Sequence, residues 1–302
     1  MNLWWPMEVT EKIDSIQKKC EGLRLEGKVL GFVPTMGFFH EGHLELMRVA
    51  KRHSDVAIIS IFVNPTQFGP SEDFESYPRN IPGDLEKARQ VGVDIAFLPS
   101  VEEMYPQGFQ TKVSAGNVTR HLCGLARPTH FDGVTTVVAK LFNITKAHFA
   151  VFGQKDYQQL TVISRMVHDL NMDIRIVGVP TVREPDGLAM SSRNVYLNPE
   201  ERKSALCLKK SLDLARDMVA RGETSTTKVK RALQELILSH PFTVIDYVSL
   251  CDPATLEDVE TVKEEVLLAL AVKVGKTRLI DNGLLNEASE SEEPLASARG
   301  FF

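Results

Sequence analysis

The stretch GFVPTMGFFHEGHLELM, residues 31–47, joins an apolar, strand-like run to a helix through a Pro-Thr-Met-Gly turn. His40 and His43 are three residues apart, so both imidazoles would lie on one face of the first helical turn. The start of such a helix presents free backbone N–H groups and a positive dipole end to a phosphate. Gly42 would leave room for a nucleotide to approach. This stretch alone leaves two other interpretations open, a tight connection with surface histidines or an incomplete zinc site.

Short apolar runs alternate with helical periods on both sides of this stretch. Val134, Val137 and Leu141 recur with the spacing of one helix face, and Leu160 and Ile163 belong to another such helix. Apolar strands that alternate with helices are typical of a parallel sheet covered on both faces. The sequence therefore predicts an α/β fold with a Rossmann-like, doubly wound parallel sheet. Its predicted strands are residues 29–33, 56–63, 93–99, 148–153 and 174–180.

The pattern changes after Pro180. A loop with an Asp-Gly turn leads to a strong helix start at Asn198, and we expect that helix to continue to Gly222. A second helix and strand signals at 243–250 and 266–281 complete a smaller α+β domain. The sequence thus predicts three parts: a larger Rossmann-like domain, a smaller domain that closes over a site at the edge of its sheet, and a disordered acidic tail, at 1–182, 183–285 and 286–302 respectively.

Composition excludes several classes of protein. The 35 Lys and Arg against 40 Asp and Glu leave no basic field of the kind that nucleic-acid binding requires. The four cysteines are far apart and include no C-x-x-C pair, which argues against a disulfide framework or a zinc finger. The amino-terminal segment lacks the features of a targeting signal, and the apolar runs are too short to span a membrane. We expect a soluble, cytoplasmic protein that binds neither nucleic acid nor membrane.

Polar motifs follow several of the predicted strands, where the carboxyl ends of parallel strands share one edge of the sheet. The motifs are PTMGxxHxGH, NPTQF, YPR, RPTHFxGV, GxKDYQQL and GLAMSSRN, in this order along the chain. Together they closely resemble the pantothenate synthetase (pantoate:β-alanine ligase) family, within the nucleotidyltransferase superfamily that carries the HIGH signature. The resemblance spans roughly residues 28–285. Six ordered motifs are far more specific than any one of them.

The resemblance implies a two-step reaction that uses ATP with Mg²⁺. The pantoate carboxylate attacks the α-phosphorus of ATP to give pantoyl adenylate and pyrophosphate, and the amine of β-alanine then displaces AMP to give pantothenate. Positioning of the reactants and neutralisation of the departing charge would supply most of the rate. Relatives of this family are commonly homodimers, and we expect the same here by analogy.

The resemblance also implies an ATP site. His43 would be the proton donor, and His40 and Lys155 would assist it by neutralising phosphate charge. The serine and arginine side chains near residue 192 would form a flexible phosphate-binding loop. The implied ATP-binding residues are Met36, Gly37, His40, Gly42, His43, Gly153, Lys155, Asp156, Val182, Met190, Ser191, Ser192 and Arg193.

The implied acid and amine site rests on Gln67 and Gln159, whose amides can bind hydroxyl and carboxylate groups without becoming competing nucleophiles. Asp84 is the carboxylate that we expect near magnesium, although a charge at a helix amino terminus is an alternative interpretation. The further candidates for binding pantoate or β-alanine are Asn64, Tyr77, Arg127 and His130.

Three other functions compete with this interpretation. A cytidylyltransferase would share the histidine motif and the sheet, but it would not need NPTQF and DYQQL together. A binding protein that kept the fold without catalysis is a second alternative, although no catalytic motif is visibly broken. A dinucleotide oxidoreductase is disfavoured because no G-x-G-x-x-G follows the first predicted strand.

Overall fold

The computed structural model describes residues 7–70, 72 and 74–286. Within these ranges the chain forms two sheets. A six-stranded sheet has the order β1-β4-β3-β2-β5-β6 with all pairs parallel, and a three-stranded sheet has the order β7-β8-β9 with both pairs antiparallel. The predicted fold class is confirmed. We call the six-stranded sheet with its helices the large unit, and the three-stranded sheet with its helices the small unit.

Among the described residues, seven helices accompany the strands of the large unit. The strands are β1 Glu8–Thr10, β2 Leu30–Thr35, β3 Val56–Ile61, β4 Ile95–Phe97, β5 Phe149–Gly153 and β6 Arg175–Val179. The helices are α1 Ile13–Leu25, α2 Glu41–His53, α3 Ile81–Gln90, α4 Val101–Met104, α5 Cys123–Ala126, α6 His130–Thr145 and α7 Tyr157–Asp169. The five predicted strands coincide with β2 to β6 within two residues at each end. Sequence analysis did not predict β1, because a three-residue edge strand with two exposed side chains carries no apolar pattern.

The strand order reverses direction between β2 and β5. From β2 the chain builds outward through β3 and β4, and it then returns to place β5 on the other side of β2. In open α/β sheets, ligands bind at such a switch point, in the crevice beyond the carboxyl ends of the two strands. Residues 36–43 connect β2 to α2, and the Lys155 motif begins at the end of β5. The topology therefore brings these two motifs together.

The described part of the small unit contains three helices and three long strands. They are α8 Pro199–Ala205, α9 Cys207–Ala220, α10 Thr226–Leu238, β7 Thr243–Cys251, β8 Val266–Val274 and β9 Thr277–Leu285. The prediction of one continuous helix from Asn198 to Gly222 is wrong, because α8 ends at Ala205 and α9 begins at Cys207, with a turn at Leu206 between them. The strand signal at 266–281 resolves into a hairpin that turns at Gly275, whose φ is +57°.

Apolar side chains pack on both faces of the large sheet, and a separate cluster fills the small unit. Leu256 and Leu267 of the small unit also join the core cluster around Phe32 and Phe142 of the large unit. The two units therefore share apolar contacts. The predicted boundary between residues 182 and 183 stays a prediction, and the predicted tail lies outside the described residues except for Asn286. None of the helices in the described ranges is long and apolar enough to cross a membrane.

Candidate active site

The switch point between β2 and β5 opens into a cavity of about 240 Å³, which we call the site cavity. Three segments converge on it: the histidine loop (residues 36–43), the lysine segment (residues 153–156) and the serine loop (residues 190–193). The structure therefore brings together most of the side chains that the sequence predicted. Those that line the site cavity are Met36, His40, Gly42, His43, Asn64, Gln67, Tyr77, Gly153, Lys155, Asp156, Gln159, Val182, Met190, Ser191, Ser192 and Arg193.

The backbone of the histidine loop is held by a buried carboxylate. Asp84, near the start of α3, is 1% exposed, and its two oxygens accept hydrogen bonds of 2.7 Å from the N–H groups of Phe38 and Phe39. Lys87 of the same helix donates to the Phe39 carbonyl at 2.6 Å. A Cβ on Gly37, whose φ is +85°, would lie 3.0 Å from the Asp84 carboxylate. These contacts give Asp84 a structural role.

Asp84 and Gly37 do not line the site cavity. Both face a separate cavity on the other side of the histidine loop. The expectation that Asp84 lies near magnesium stays a prediction, while the alternative interpretation, a carboxylate in the first turn of α3, describes its observed position. Sequence analysis could not separate the two, because an acidic residue at a helix start suits either role.

The two histidines are stacked closely at the start of α2, with ring centroids 4.1 Å apart. The backbone N–H of His40 donates to Nδ1 of His43 at 3.3 Å, so a neutral His43 carries its proton on Nε2. Burial, then His40 and the Lys155 ammonium, hold the pKa of His43 well below its usual range. Burial and then Lys155 lower the pKa of His40 to about 4. Both rings are thus neutral at pH 7 and act as hydrogen-bond donors without charge.

Nδ1 of His40 is buried and has no hydrogen-bond partner among the described residues. A buried polar atom without a partner costs about 1–3 kcal/mol. A Cβ on Gly42 would lie 3.0 Å from this nitrogen, so this edge of the ring packs against Gly42. Gly42 also lets the His40 ring lie close to α2, because a Cβ at this position would lie 2.9 Å from Cε1 of His40. Gly42 lines the site cavity, and the room it would leave for a nucleotide stays a prediction.

The lysine segment forms a single 3-10 turn between β5 and α7. The Lys155 side chain is 19% exposed, and its ammonium lies 3.7 Å from the Asp156 carboxylate. The same ammonium contributes to the lowered pKa of both His40 and His43, which places its positive charge within reach of the two rings. The cavity wall thus carries one cation close to two neutral donors, an arrangement that suits a polyphosphate.

The serine loop follows the link between the two units. The N–H of Met190 donates to the Val182 carbonyl at 3.0 Å, which holds the loop against the end of the large unit. Ser191 Oγ accepts from the Arg193 N–H at 3.3 Å, and the Arg193 guanidinium lies 5.8 Å from the centre of the Tyr77 ring. Two hydroxyls and a guanidinium therefore border the cavity next to the histidine loop, where Ser192 Oγ lies 3.5 Å from the Phe38 carbonyl. The phosphate-binding role of this loop stays a prediction.

The side chain of Gln67 is oriented by its neighbours. Asn64, 1% exposed, donates from Nδ2 both to Gln67 Oε1 at 3.2 Å and to the Gly133 carbonyl at 3.1 Å. A Cβ on Gly133 would lie 2.4 Å from the Thr66 carbonyl, so only glycine lets α6 approach the turn that carries Gln67. Asn64 is thus placed to orient Gln67.

Arg127 and His130 lie outside the site cavity and line an adjoining outer cavity of about 830 Å³. Each contacts the Gln67 carbonyl, from Arg127 Nη2 at 3.2 Å and from His130 Nδ1 at 2.8 Å. Arg127 is also paired with Glu72 through its Nε at 2.6 Å. Burial and then Arg127 lower the pKa of His130 to about 4, so the neutral ring donates from Nδ1. Both residues support the backbone of Gln67.

Sequence analysis missed three residues that shape this site. Glu72 pairs with Arg127, Gly133 admits the Gln67 turn, and Asn282 of β9 donates to the carbonyls of Gln154 and Lys155 at 3.0 and 2.7 Å. Gly133 belongs to the RPTHFxGV motif, but its role could not be predicted, and Glu72 and Asn282 belong to no motif; each of the three acts on a partner at least 55 residues away. The apolar wall of the site cavity was predicted only as a helix core face; it includes Val134, Val137, Val138 and Leu141.

Comparison with known proteins agrees with this geometry. A model of the pantoate-β-alanine ligase family matches residues 8–284. The pantothenate synthetase of Syntrophus aciditrophicus (strain SB) is 55% identical over 281 residues, which cover 93% of this chain and 98% of that protein. The pantothenate synthetase of Geobacter sulfurreducens is 53% identical and covers 93% of this chain and 99% of its own length.

Solved structures show the same similarity. Pantothenate synthetase from Thermus thermophilus is 43% identical, with a TM-score of 0.87 over 92% of this chain and 99% of that one. Pantoate-β-alanine ligase from Francisella tularensis, solved in complex with β-γ ATP and β-alanine, is 32% identical, with a TM-score of 0.75 over 94% of this chain and 100% of that one. Since the family model and these relatives each span more than nine-tenths of its length, the chain belongs to the pantoate-β-alanine ligase family.

Proposed function

We propose that this family member joins pantoate to β-alanine through a pantoyl adenylate that forms in the site cavity with ATP as co-substrate. The observation that carries the proposal is the convergence of two neutral histidines, Lys155, the serine loop and the pair Gln67 and Gln159 on one cavity at the switch point. The Francisella tularensis relative, solved with β-γ ATP and β-alanine, supports these two ligands as substrates.

In the first step a carboxylate oxygen of pantoate attacks the α-phosphorus of ATP, and the bond from that phosphorus to the bridging oxygen of pyrophosphate breaks. Charge builds up on the departing pyrophosphate. His43 donates from Nε2, His40 donates beside it, and the Lys155 ammonium neutralises charge that increases as the bond breaks. Fixed donors in a partly water-excluded site stabilise such charge more effectively than water does. Ser191, Ser192 and Arg193 bind phosphate oxygens from the neighbouring serine loop.

In the second step the amine of β-alanine attacks the acyl carbon of the adenylate, loses a proton and displaces AMP. Gln67 and Gln159 hold the pantoate hydroxyl and carboxylate groups through their amides, and Gln67 also faces the amine. Asn64 fixes the Gln67 amide, while Arg127 and His130 hold the Gln67 carbonyl. Met36, Gly153, Asp156, Val182 and Met190 border the nucleotide, and Tyr77 lies beneath Arg193.

Magnesium belongs to the proposal as the ion that neutralises the phosphates of ATP when it is bound. Within the described ranges, no three His, Cys, Asp or Glu side chains come together as metal ligands. Both oxygens of Asp84 accept from backbone N–H groups, whereas the Asp156 side chain is 52% exposed at the cavity wall. This donor set fits an ion held mainly by phosphates and water, with the exposed Asp156 carboxylate as its protein contact. Whether Asp84 also contacts the ion is tested by Asp84→Asn.

The domain boundary, the homodimer and the cytoplasmic location are further proposals that rest on the sequence. We place the nucleotide- and pantoate-binding domain at residues 1–182 and the closing domain at 183–285. The serine loop supports the closing role of residues 183–285, because it belongs to that domain and lines the site cavity.

Exchange of radiolabelled pyrophosphate into ATP tests the proposed function. We expect exchange to require pantoate and magnesium but not β-alanine, because the first step is reversible without the amine. Exchange that β-alanine alone supports would disprove the assignment of the attacking carboxylate. Exchange of pyrophosphate into CTP instead of ATP would favour the cytidylyltransferase alternative. Absence of turnover with ATP, pantoate and β-alanine would favour a binding protein.

A further inference from the structure

Asn282 connects the small unit to the segment that carries Lys155. It lies on β9, and its side-chain amide donates both hydrogens, one to the Gln154 carbonyl at 3.0 Å and one to the Lys155 carbonyl at 2.7 Å. Two successive carbonyls on one amide define the orientation of the turn more strictly than a single bond would. A residue of the small unit thus holds the backbone at Gln154 and Lys155 in place.

Asn282 is itself held by a buried ion pair. Its N–H donates to Asp281 Oδ1 at 2.9 Å, and Asp281 is 2% exposed. Both Asp281 oxygens accept from the Arg183 guanidinium, at 2.7 and 2.9 Å, and Arg183 also donates to the Gly187 carbonyl at 3.1 Å. A bidentate guanidinium–carboxylate pair is geometrically strict. It joins β9 to residues 183–189, which lead directly into the serine loop.

The position of Lys155 therefore depends on the small unit. The lysine segment is a three-residue 3-10 turn, which supplies few backbone hydrogen bonds of its own. The Lys155 side chain is 19% exposed, and Asp156, its ion-pair partner at 3.7 Å, is beyond ordinary hydrogen-bond distance. The two bonds from Asn282 therefore tie the backbone of this turn to β9.

We infer that Asn282 is a positioning residue for Lys155: it holds the lysine segment so that the ammonium meets the phosphates bound by the serine loop. This inference rests on the proposed role of Lys155. Strand β9 contacts both phosphate-facing segments. Asp281 pairs with Arg183, which precedes the serine loop, and Asn282 binds the lysine segment, so β9 fixes the distance between the two segments.

The test compares Asn282→Ala and Asn282→Asp with Tyr247→Phe in the full chain. Asp has the size of Asn but cannot donate to two carbonyls when ionised, so it removes both bonds without leaving a gap. Tyr247→Phe is the matched control, because it removes another contact between the units, from Tyr247 Oη to Cys123 Sγ at 3.4 Å.

We expect both Asn282 variants to lower pantoate-dependent pyrophosphate exchange about tenfold, with the β-alanine step from preformed pantoyl adenylate changed less than threefold. Tyr247→Phe should keep both steps within about twofold of the unaltered chain. Equal losses in the two steps, or an equal loss in the control, would overturn the inference in favour of a general role in joining the units. If Asn282→Ala does not fold, Asn282→Asp carries the comparison.

A second measurement does not depend on activity. Brief acetylation with acetic anhydride, followed by peptide mass spectrometry, reports how accessible each lysine is. We expect acetylation of Lys155 to rise about threefold or more in both Asn282 variants, relative to Lys28 of the same sample. Unchanged acetylation of Lys155 would overturn the inference. Absence of pantoate-dependent exchange in the unaltered chain would instead overturn the proposed function and leave the acetylation result readable.

Discussion

The histidine loop and the lysine segment follow neighbouring strands of one sheet, but they are held in different ways. The histidine loop is fixed from within the large unit, by Asp84 and Lys87 of α3. The lysine segment is fixed from the small unit, by Asn282 of β9. One half of the site is thus built into the Rossmann-like unit, whereas the other half depends on how the second unit is docked.

This difference has an electrostatic consequence. The neutral histidines owe their lowered pKa values first to burial. The contribution of Lys155 to those pKa values requires that the lysine segment stay in place. Two neutral imidazole rings can be held side by side at little electrostatic cost. The Lys155 ammonium, by contrast, has to be held beside these rings by other contacts. The predictions below test this contrast, starting with the largest expected effect.

His43→Ala removes a hydrogen-bond donor from the histidine loop, and Lys155→Ala removes the cation of the lysine segment. Each should slow adenylate formation on the order of a hundredfold or more, because fixed donors to the leaving pyrophosphate act in a partly water-excluded site. With preformed pantoyl adenylate the β-alanine step should lose less, since pyrophosphate has already gone. Single-turnover measurement of each step checks this, and equal losses in both steps would point to general positioning. Gln67→Ala serves as the contrast and should impair both steps.

Gly133→Ala tests whether packing within the large unit also fixes the turn that carries Gln67. The added Cβ would lie 2.4 Å from the Thr66 carbonyl, so α6 and the turn must separate. We expect about 1–3 kcal/mol lower stability in urea unfolding and roughly a tenfold higher KM for pantoate. The matched control is Gly22→Ala in α1, where a Cβ would meet no atom within 4 Å. A KM unchanged by Gly133→Ala would show that the turn does not set pantoate binding.

Asp84→Asn tests what fixes the histidine loop. An amide has one oxygen in place of two, so one buried N–H of Phe38 or Phe39 loses its acceptor, at a cost of about 1–3 kcal/mol. We expect lower stability in urea with an unchanged magnesium requirement for exchange. Normal stability with a raised magnesium requirement would show instead that Asp84 contacts the ion. Asp173→Asn, at an exposed carboxylate, provides the control.

The pH dependence of stability reports on the buried histidines. His40 has a pKa of about 4 in the folded chain against a usual value of 6.5, so the unfolded chain binds its proton first as the pH falls. Its neutral state therefore stabilises the fold fully above about pH 6.5, and this contribution is lost as the pH falls toward 4. His40→Gln should flatten the slope of unfolding free energy in this window by up to about 1.4 kcal/mol per pH unit. An unchanged slope in urea titrations would contradict the buried, neutral His40.

Removal of the residues after Asn286 should have the smallest effect. The acidic, Ser- and Ala-rich composition of this segment, which lies outside the described residues, provides too little apolar surface to fold. We expect the truncated chain to fold and turn over nearly as the full chain does, as judged by thermal unfolding and steady-state assay. A large loss would mean that the segment supports the small unit, and with it the lysine segment.

The sequence by itself determined the fold class and most of the site, because both are encoded locally. Apolar runs of strand length identified β2 to β6, and the polar motifs behind them identified the histidine loop, the lysine segment and the serine loop. A side chain that directly follows a parallel strand is placed at the sheet edge by that strand alone. Lys155 could be placed at this edge because it closely follows β5, whereas Gln159, which lies within α7, was assigned to the site from the family resemblance of GxKDYQQL.

Only the tertiary structure decided how these segments are held. Asp84 fits a magnesium contact or a loop brace equally well in the sequence, and the observed hydrogen bonds to Phe38 and Phe39 reveal the brace. Gly133 and Asn282 gained their roles from elements that are distant in the chain, since Asn282 acts on a carbonyl 128 residues away. Local patterns specify which side chains reach a sheet edge, but hydrogen bonds between distant segments depend on how the two units pack, which no local pattern encodes.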